Sequence, residues 1–442
     1  MLSFLHRLAV VAILLATRPC HASRPGHSLR SPEYAPGGHV NAVYFVNWCI
    51  HDRGFYPQHM DVSHISHVLY AFLGVKPDGT VYSKDEHADF VAQFNGDSYD
   101  EHKRNAYGCV KQLFLLKKSN RQLKTLLSIG GSGAGSANFS SAASTPDNRA
   151  RFASTSVDLM WNWGFDGIDI DWEFPDDEID ATNLVLLLQA IRNELDIHAG
   201  KYASGHRFLL STAAPAAPEH YLKLQLNHMS GIVDQINLMA YDYSGSWDHI
   251  SGHNANLFPY KRPVTKLNID YTLNESFETA INTDYAIGDY LRSGVPAEKI
   301  VLGIPVFGRS FEENLGLGKT FSSVGKGSWG QQGVWDYKAL PKEGATIIYD
   351  PIAHASFSYD ERKHEFISYD TPSVVQEKAE YVLEHGLGGT MFWEASADKK
   401  GGDSLIGTSY CVLGSLETTQ NWLDYTNSYF DNIATKMGEE YI

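Results

Sequence analysis

Short apolar runs recur along this chain between residues 42 and 393. They are Ala42–Trp48, Ile65–Leu73, Leu123–Ile129, Phe165–Asp171, Phe208–Ala213, Gln235–Ala240, Ile300–Pro305 and Gly389–Trp393. Each has strand length, is rich in β-branched or aromatic residues, and mostly ends at Gly, Asn, Asp or Ser. Helical patterns lie between most of them. Ala181–Leu195 carries Leu184, Leu187, Leu188 and Ile191 at three- and four-residue spacing, with Asp180 as a start signal. Tyr285–Leu291 and Val374–Leu383 read as further helices. Strands alternating with helices predict an α/β protein whose parallel strands close into a (β/α)8 TIM barrel. An open doubly wound sheet is the alternative. The count of eight runs, and the lack of a phosphate-binding glycine loop after the first, favour the barrel.

One gap departs from this rhythm. About eighty residues separate the seventh run from the eighth, far beyond an ordinary connection. Gly333–Tyr337, Ala345–Asp350, Ala355–Tyr359 and Glu365–Tyr369 within it have strand-like or turn-bounded patterns. They predict a small α+β insertion at residues 310–370, flanked by barrel segments 40–309 and 371–430. Residues 23–39 are rich in Pro, Gly and Ser and read as a flexible leader. Before them, Arg7 precedes an apolar stretch from Leu8 to Ala16, and Cys20-His21-Ala22 offers a cleavage site after Ala22. Residues 1–22 therefore read as a secretory signal peptide, which makes the protein extracellular. A membrane anchor is the alternative, but the stretch is far shorter than the ~20 apolar residues a span needs.

Composition narrows the partners. Hydrophobic residues make up 43% and charged residues 20%, an ordinary balance for a folded soluble protein. Lys and Arg number 36 against 52 Asp and Glu, a net charge of −16. That surface argues against nucleic acid and anionic membranes, while a neutral polymer fits it. A monomer is expected. Removal of Cys20 with the signal peptide would leave Cys49, Cys109 and Cys411, so at least one thiol stays free or pairs with another chain. The fold must then rest on its core. No Cys–His spacing suggests a metal site. Asn138-Phe139-Ser140 and Asn274-Glu275-Ser276 fit the glycosylation acceptor pattern of a secreted protein.

The candidate chemistry concentrates in Phe165-Asp166-Gly167-Ile168-Asp169-Ile170-Asp171-Trp172-Glu173. Side chains alternate along a strand, so Asp169, Asp171 and Glu173 share one face and Ile168, Ile170 and Trp172 the other. The apolar face suits the helix layer, which leaves the carboxylates inside the barrel. Like charges at this spacing cannot all ionise cheaply, so protons are shared and at least one pKa rises. A general acid needs that condition. Glu173, nearest the C-terminal mouth, is the candidate proton donor, with Asp171 beside it and Asp169 one step deeper. A calcium or magnesium site is the alternative, but the intervening Ile, Ile and Trp argue against it. Asp166 has the opposite parity and is expected to cap the strand entry.

This run resembles the DxxDxDxE signature of glycoside hydrolase family 18, the family of fungal, bacterial and animal chitinases, at all four acidic positions. Leu127-Ser128-Ile129-Gly130-Gly131 resembles the family's SxGG motif, and Asn41-Ala42-Val43-Tyr44-Phe45 its first strand. Met239-Ala240-Tyr241-Asp242-Tyr243 resembles its MxYD motif. Trp247, Arg309 and Trp393 match a tryptophan near the cleavage point, a sugar-contacting arginine and a tryptophan floor. Phe307 departs from the common tyrosine. The resemblance covers nearly the whole chain after the leader, including the insertion.

The resemblance implies a chitinase acting on chitin and chito-oligosaccharides, with Glu173, Asp171, Asp169 and Tyr241 catalytic. It implies substrate contacts or support from Tyr44, Ser128, Gly130, Met239, Asp242, Trp247, Arg309 and Trp393. No metal or organic cofactor is expected. Most retaining glycosidases use a carboxylate nucleophile, and this family is a known exception. The implied nucleophile is the substrate's own acetamide oxygen. Tyr241 would position it, Asp171 would stabilise the cyclic oxazolinium ion, and Glu173 would protonate the leaving group and then activate water. The family also contains inactive lectins, but Glu173, Asp171 and Tyr241 are all intact here. An endo-β-N-acetylglucosaminidase acting on glycoprotein glycans would share the acidic strand. The insertion and Trp393 point instead to chitin.

Overall fold

The computed structural model describes residues 37–97, 102–260 and 281–438. The proposed signal peptide, the leader up to residue 36, and Asn274 lie outside these ranges. Among the described residues no helix is long and apolar enough to cross a membrane.

Eight parallel strands close on themselves, as the eight apolar runs predict. They are β1 (Val40–Val46), β2 (His67–Val75), β4 (Lys124–Gly130), β5 (Gly167–Asp171), β6 (Leu209–Pro215), β7 (Gln235–Met239), β8 (Ile300–Pro305) and β14 (Gly389–Trp393). Their order is β1-β14-β8-β7-β6-β5-β4-β2, and pairing of β1 with β2 completes the barrel. A two-residue strand, β3 (Val81–Tyr82), runs antiparallel to the end of β2. Strands covered on both faces are almost wholly buried, which is why they read as continuous apolar runs.

The helix Glu178–Tyr202 shows how the outer layer is set. Its Leu184, Leu187, Leu188 and Ile191 are buried together. Its cap is Asp177, which stands in extended backbone and accepts hydrogen bonds from the Ile179 and Asp180 N–H groups. The start signal expected at Asp180 therefore lies inside the first turn. Trp161 and Trp163 are buried in the core.

The long segment between β8 and β14 holds a second, antiparallel sheet. It comprises β9 (Phe307–Phe311), β10 (Val334–Asp336), β11 (Thr346–Asp350), β12 (Ala355–Asp360) and β13 (Glu365–Ser368), in the order β10-β9-β13-β12-β11. Its other regular elements are short 3-10 turns, and the helix that follows, Pro372–Glu384, leads back to β14. The sheet starts at Phe307, only one residue after β8 ends.

Asp166 lies at the barrel's entry end. It is buried, 2.9 Å from Lys117 Nζ, and accepts from the Thr125 and Trp422 backbone N–H groups. It thus ties the segment at Trp422 to the barrel's entry end. Cys49 and Cys109 are free and buried. The Asn138 side chain is half-buried and donates to the Val75 carbonyl at 2.9 Å.

Candidate active site

The strand registers decide what surrounds the acidic run. Ser128 on β4 and Ser211 on β6 both stand opposite Asp169 on β5. Asp169 is fully buried and accepts four hydrogen bonds. Tyr44 Oη (2.9 Å) and Ser128 Oγ (2.7 Å) donate to Oδ2, while Ser211 Oγ (2.6 Å) and Asn237 Nδ2 (3.1 Å) donate to Oδ1. Burial raises its pKa and the donors oppose that rise. The resemblance anticipates Tyr44 and Ser128. Ser211 and Asn237 were not anticipated, although Asn237 shares strand parity with Met239 and is a polar residue in an apolar run.

Asp171, next on this face, is in a different position. It is buried, and its Oδ1 has no hydrogen-bond partner among the described residues. Burial first, then the negative charges of Glu173 and Asp169, push its pKa well above the usual carboxylate range, while Lys84 opposes them. An uncompensated buried carboxylate oxygen is costly. The site therefore holds a buried carboxyl oxygen whose hydrogen-bonding capacity no described residue meets.

Glu173 lies two residues beyond β5, at the barrel mouth. Its backbone N–H donates to Ser136 Oγ at 2.7 Å, which fixes where the side chain emerges. Burial and the nearby Asp242 carboxylate raise its pKa to about 7. It is therefore a carboxylic acid over most of the acidic range. Gly130 lets the neighbouring strand end come this close: its φ is +122°, and a Cβ there would stand 2.1 Å from the Asp171 carbonyl oxygen.

These groups open into a cleft of about 480 Å³. Tyr44, Gly130, Asp171, Glu173, Met239, Tyr241, Asp242, Arg309 and Trp393 line it, bringing nine of the expected residues together. Asp169 and Ser128 lie beneath its floor, fully buried. Trp393 packs against Tyr44 and stacks on Phe72, with ring centroids 5.1 and 5.6 Å apart. Tyr241 meets the Phe307 ring edge-on at 5.9 Å. Burial and then the carboxylates around it raise the Tyr241 pKa, so its hydroxyl keeps its proton.

Asp242 adopts a left-handed backbone, φ 62°, held by its N–H to Asn254 Oδ1 at 3.1 Å. Its carboxylate accepts from Arg309 Nε and Nη2 at 2.9 and 2.7 Å. The same guanidinium lies 4.9 Å from the Trp247 ring, which stands exposed at the rim and not in the cleft lining. Arg309 thus joins Asp242, Trp247 and Phe307 into one wall.

The cleft also contains residues that the sequence did not single out. Trp48 and Phe72 extend the aromatic surface, and Lys84 lies 5.6 Å over the Phe72 ring. Arg53 Nη1 donates to Glu394 Oε1 at 2.5 Å and to Ser396 Oγ at 3.0 Å. Phe72 sits on β2, Trp48 and Arg53 follow β1, and Lys84 and Glu394 follow β3 and β14, so no local motif gathers them. Among the described residues, no three His, Cys, Asp or Glu side chains are grouped to hold a metal ion.

An enclosed acid near neutral pKa, an unpartnered buried carboxylate beside it, a phenol and an aromatic floor suit protonation of a leaving group on a bound sugar. Comparison with known proteins agrees. Residues 40–398 match the family described as Glycosyl hydrolases family 18. The chain is similar to Endochitinase 1 of Metarhizium robertsii, at 52% identity over 98% of this chain and 99% of the relative. It is similar to Chitinase 1 of Aphanocladium album, at 50% identity over 99% of this chain and 100% of the relative. The solved catalytic domain of psychrophilic chitinase B from Arthrobacter TAD20 superposes with a TM-score of 0.76 at 25% identity, covering 87% of this chain and 98% of that one. A match across most of the chain, with relatives at half identity over their full lengths, shows that this protein belongs to glycosyl hydrolases family 18.

Proposed function

We propose that the protein is a secreted, monomeric chitinase that hydrolyses β-1,4 linkages of N-acetylglucosamine polymers with retention of configuration, by substrate-assisted catalysis. The observation that carries this reading is the buried Asp171 Oδ1 with no partner, lying between Asp169 and Glu173 in the cleft. An acetamide N–H is the donor that would satisfy it. A sugar resting on Trp393 with its 2-acetamido group turned inward would place that N–H toward Asp171.

In this reading Glu173 gives its proton to the glycosidic oxygen as the acetamide carbonyl oxygen attacks the anomeric carbon. The C–O bond to the leaving sugar breaks, and a cyclic oxazolinium ion forms. Asp171 accepts the amide N–H and offsets the positive charge. Tyr241 hydrogen-bonds the acetamide carbonyl and holds it in line, a positioning effect. Glu173, now ionised, takes a proton from water, whose oxygen opens the ring on the face the leaving group left. Asp169, held by four donors, anchors Asp171's strand. Met239, Asp242, Arg309 and Trp247 shape the wall around the distorted sugar and its neighbour. The names of the two fungal relatives and the neutral, uncharged character of the polymer support the substrate. The sequence of residues 1–22 supports secretion.

The test is Glu173→Gln. It is expected to lose nearly all turnover of chito-oligosaccharides while still binding them in a calorimetric titration. Turnover within about tenfold of wild type would remove Glu173 from the acid role.

A further inference from the structure

Lys84 reaches the cleft from a bend that is fixed on both sides. It lies in Ser83-Lys84-Asp85, just after β3. Ser83 Oγ donates to the buried Asp89 at 2.5 Å, and Asp89 also accepts from Asn47 Nδ2 at 3.0 Å. Asp85 accepts from the Ala88 N–H at 3.0 Å and lies 2.7 Å from His51 Nε2. The lysine is therefore presented from a firm base. Its ammonium lies 5.6 Å from the Phe72 ring centroid, and Phe72 stacks on Trp393. It also lies 3.5 Å from the Gly130 carbonyl oxygen. Gly130 is the β4 residue opposite Asp171 in the strand register. The charge thus stands beside the strand end that carries Asp171.

Among the described residues, three cations line the cleft, and two of them are already paired. Arg53 pairs with Glu394 and Arg309 with Asp242. Lys84 makes no ion pair among the described residues. Partial burial lowers its pKa while Asp171 and Asp89 oppose the fall, and an ammonium stays charged where carboxyls titrate. The titratable groups that act on Asp171 are Asp169 and Glu173 along its own strand, Tyr44 from β1, Tyr241 after β7, and Lys84. Both phenols stay neutral, because burial raises their pKa values. Once Glu173 is protonated its charge no longer acts. Asp171 then ionises against burial and Asp169, with Lys84 as the cation in its favour.

We infer that Lys84 is a positioning residue for the reaction: the field of its ammonium holds Asp171 as a carboxylate, the form that accepts an acetamide N–H and offsets the oxazolinium charge. The inference rests on the substrate-assisted reading and adds to it a residue that touches no reacting atom. A protonated Asp171 would turn an O–H toward the acetamide and bring no charge to the cyclic ion. Water reaches the exposed lysine, so its field is screened and the effect is modest.

The experiment compares Lys84→Met, which removes the charge and keeps the length, with Lys84→Arg, which keeps the charge. kcat and KM for N-acetylglucosamine hexamer are followed against pH. The Asp171 carboxyl is titrated in the free full chain by carbon-13 magnetic resonance, its signal assigned by its loss in Asp171→Asn. Lys84→Met is expected to move the acid limb of kcat up by about half a pH unit, roughly a threefold loss of turnover on the acid side. The alkaline limb, set by Glu173, should stay in place. The Asp171 carbon should titrate higher by the same amount. Lys84→Arg should restore both, and added salt should move the wild-type limb toward that of Lys84→Met. An acid limb and a carbon titration that stay in place in Lys84→Met, or move as far in Lys84→Arg, overturn the inference. A rise in KM alone also overturns it, because Lys84 would then be a sugar contact. If the wild type cuts no acetylated oligomer, the substrate reading fails by itself; a carbon titration unmoved by Lys84→Met then overturns the inference as well, and a shifted one upholds the hold of Lys84 on Asp171.

Discussion

Replacing Glu173 by Gln should make the protein more stable at alkaline pH, because the structure holds this carboxyl where ionisation is unfavourable. Its folded pKa is about 7 against an ordinary value of 4.5. A raised folded pKa means that the folded state binds the proton more tightly than the unfolded chain. Stability is then fully present below about pH 4.5 and is lost as pH rises through about 7. A tenfold change in proton affinity corresponds to about 1.4 kcal/mol, so the tighter proton binding of the folded state amounts to roughly 3 kcal/mol by pH 8. That is an upper bound, since the side chain keeps some contact with water. Gln does not titrate, and its presence also removes a negative charge that disfavours ionised Asp171. The measurable quantity is the difference in unfolding free energy between variant and wild type, from urea titrations at pH 4.5 and pH 8. The variant should gain up to roughly 3 kcal/mol on wild type between the two pH values, a difference of several degrees in melting temperature. A difference independent of pH would refute the claim that Glu173 is held protonated by its surroundings.

Other consequences follow from the same geometry. The alkaline limb of kcat/KM should fall near pH 7, and Asp242→Asn should move it slightly to lower pH, because burial, the larger cause of the raised Glu173 pKa, remains; a limb that stays in place would show that Asp242 does not act on Glu173. Asp169→Asn should fold, since the Tyr44 and Ser128 hydroxyls can rotate to accept from the new amide while Ser211 and Asn237 still find a carbonyl. Asp169→Ala leaves all four donors without an acceptor and should cost about 3–5 kcal/mol in a denaturant titration. Fully deacetylated oligomers should not be cut, and a product ladder matching that from acetylated ones would rule out the acetamide nucleophile.

The barrel was legible because its strands are covered on both sides. Eight β-branched runs such as Val43–Val46 and Ile300–Ile304 cannot be anything but interior. The acidic face was legible for the opposite reason: three carboxylates at alternate positions contradict a core unless they act. The rest depended on distance in sequence. Ser211 and Asn237 are single polar residues in apolar strands, and only the register shows that they converge on Asp169. The start of the second sheet was hidden because β9 follows β8 after one residue, with no loop composition to mark it. Asp177 and Asp180 are equivalent as letters, and only the extended backbone of Asp177 selects it as the cap. Arg53 and Lys84 sit on loops, where side-chain periodicity carries no signal and the partner that gives each its meaning is dozens or hundreds of residues away.

The central claim is retention through an acetamide nucleophile, and the anomeric form of the first product tests it most directly. Chito-oligosaccharides mixed with the protein would be followed by proton magnetic resonance at early times, before mutarotation equalises the two forms. The account predicts that the new reducing ends appear first as the β-anomer. New ends that appear first as the α-anomer would mean direct attack by water, and would contradict both the oxazolinium ion and the role given to Asp171.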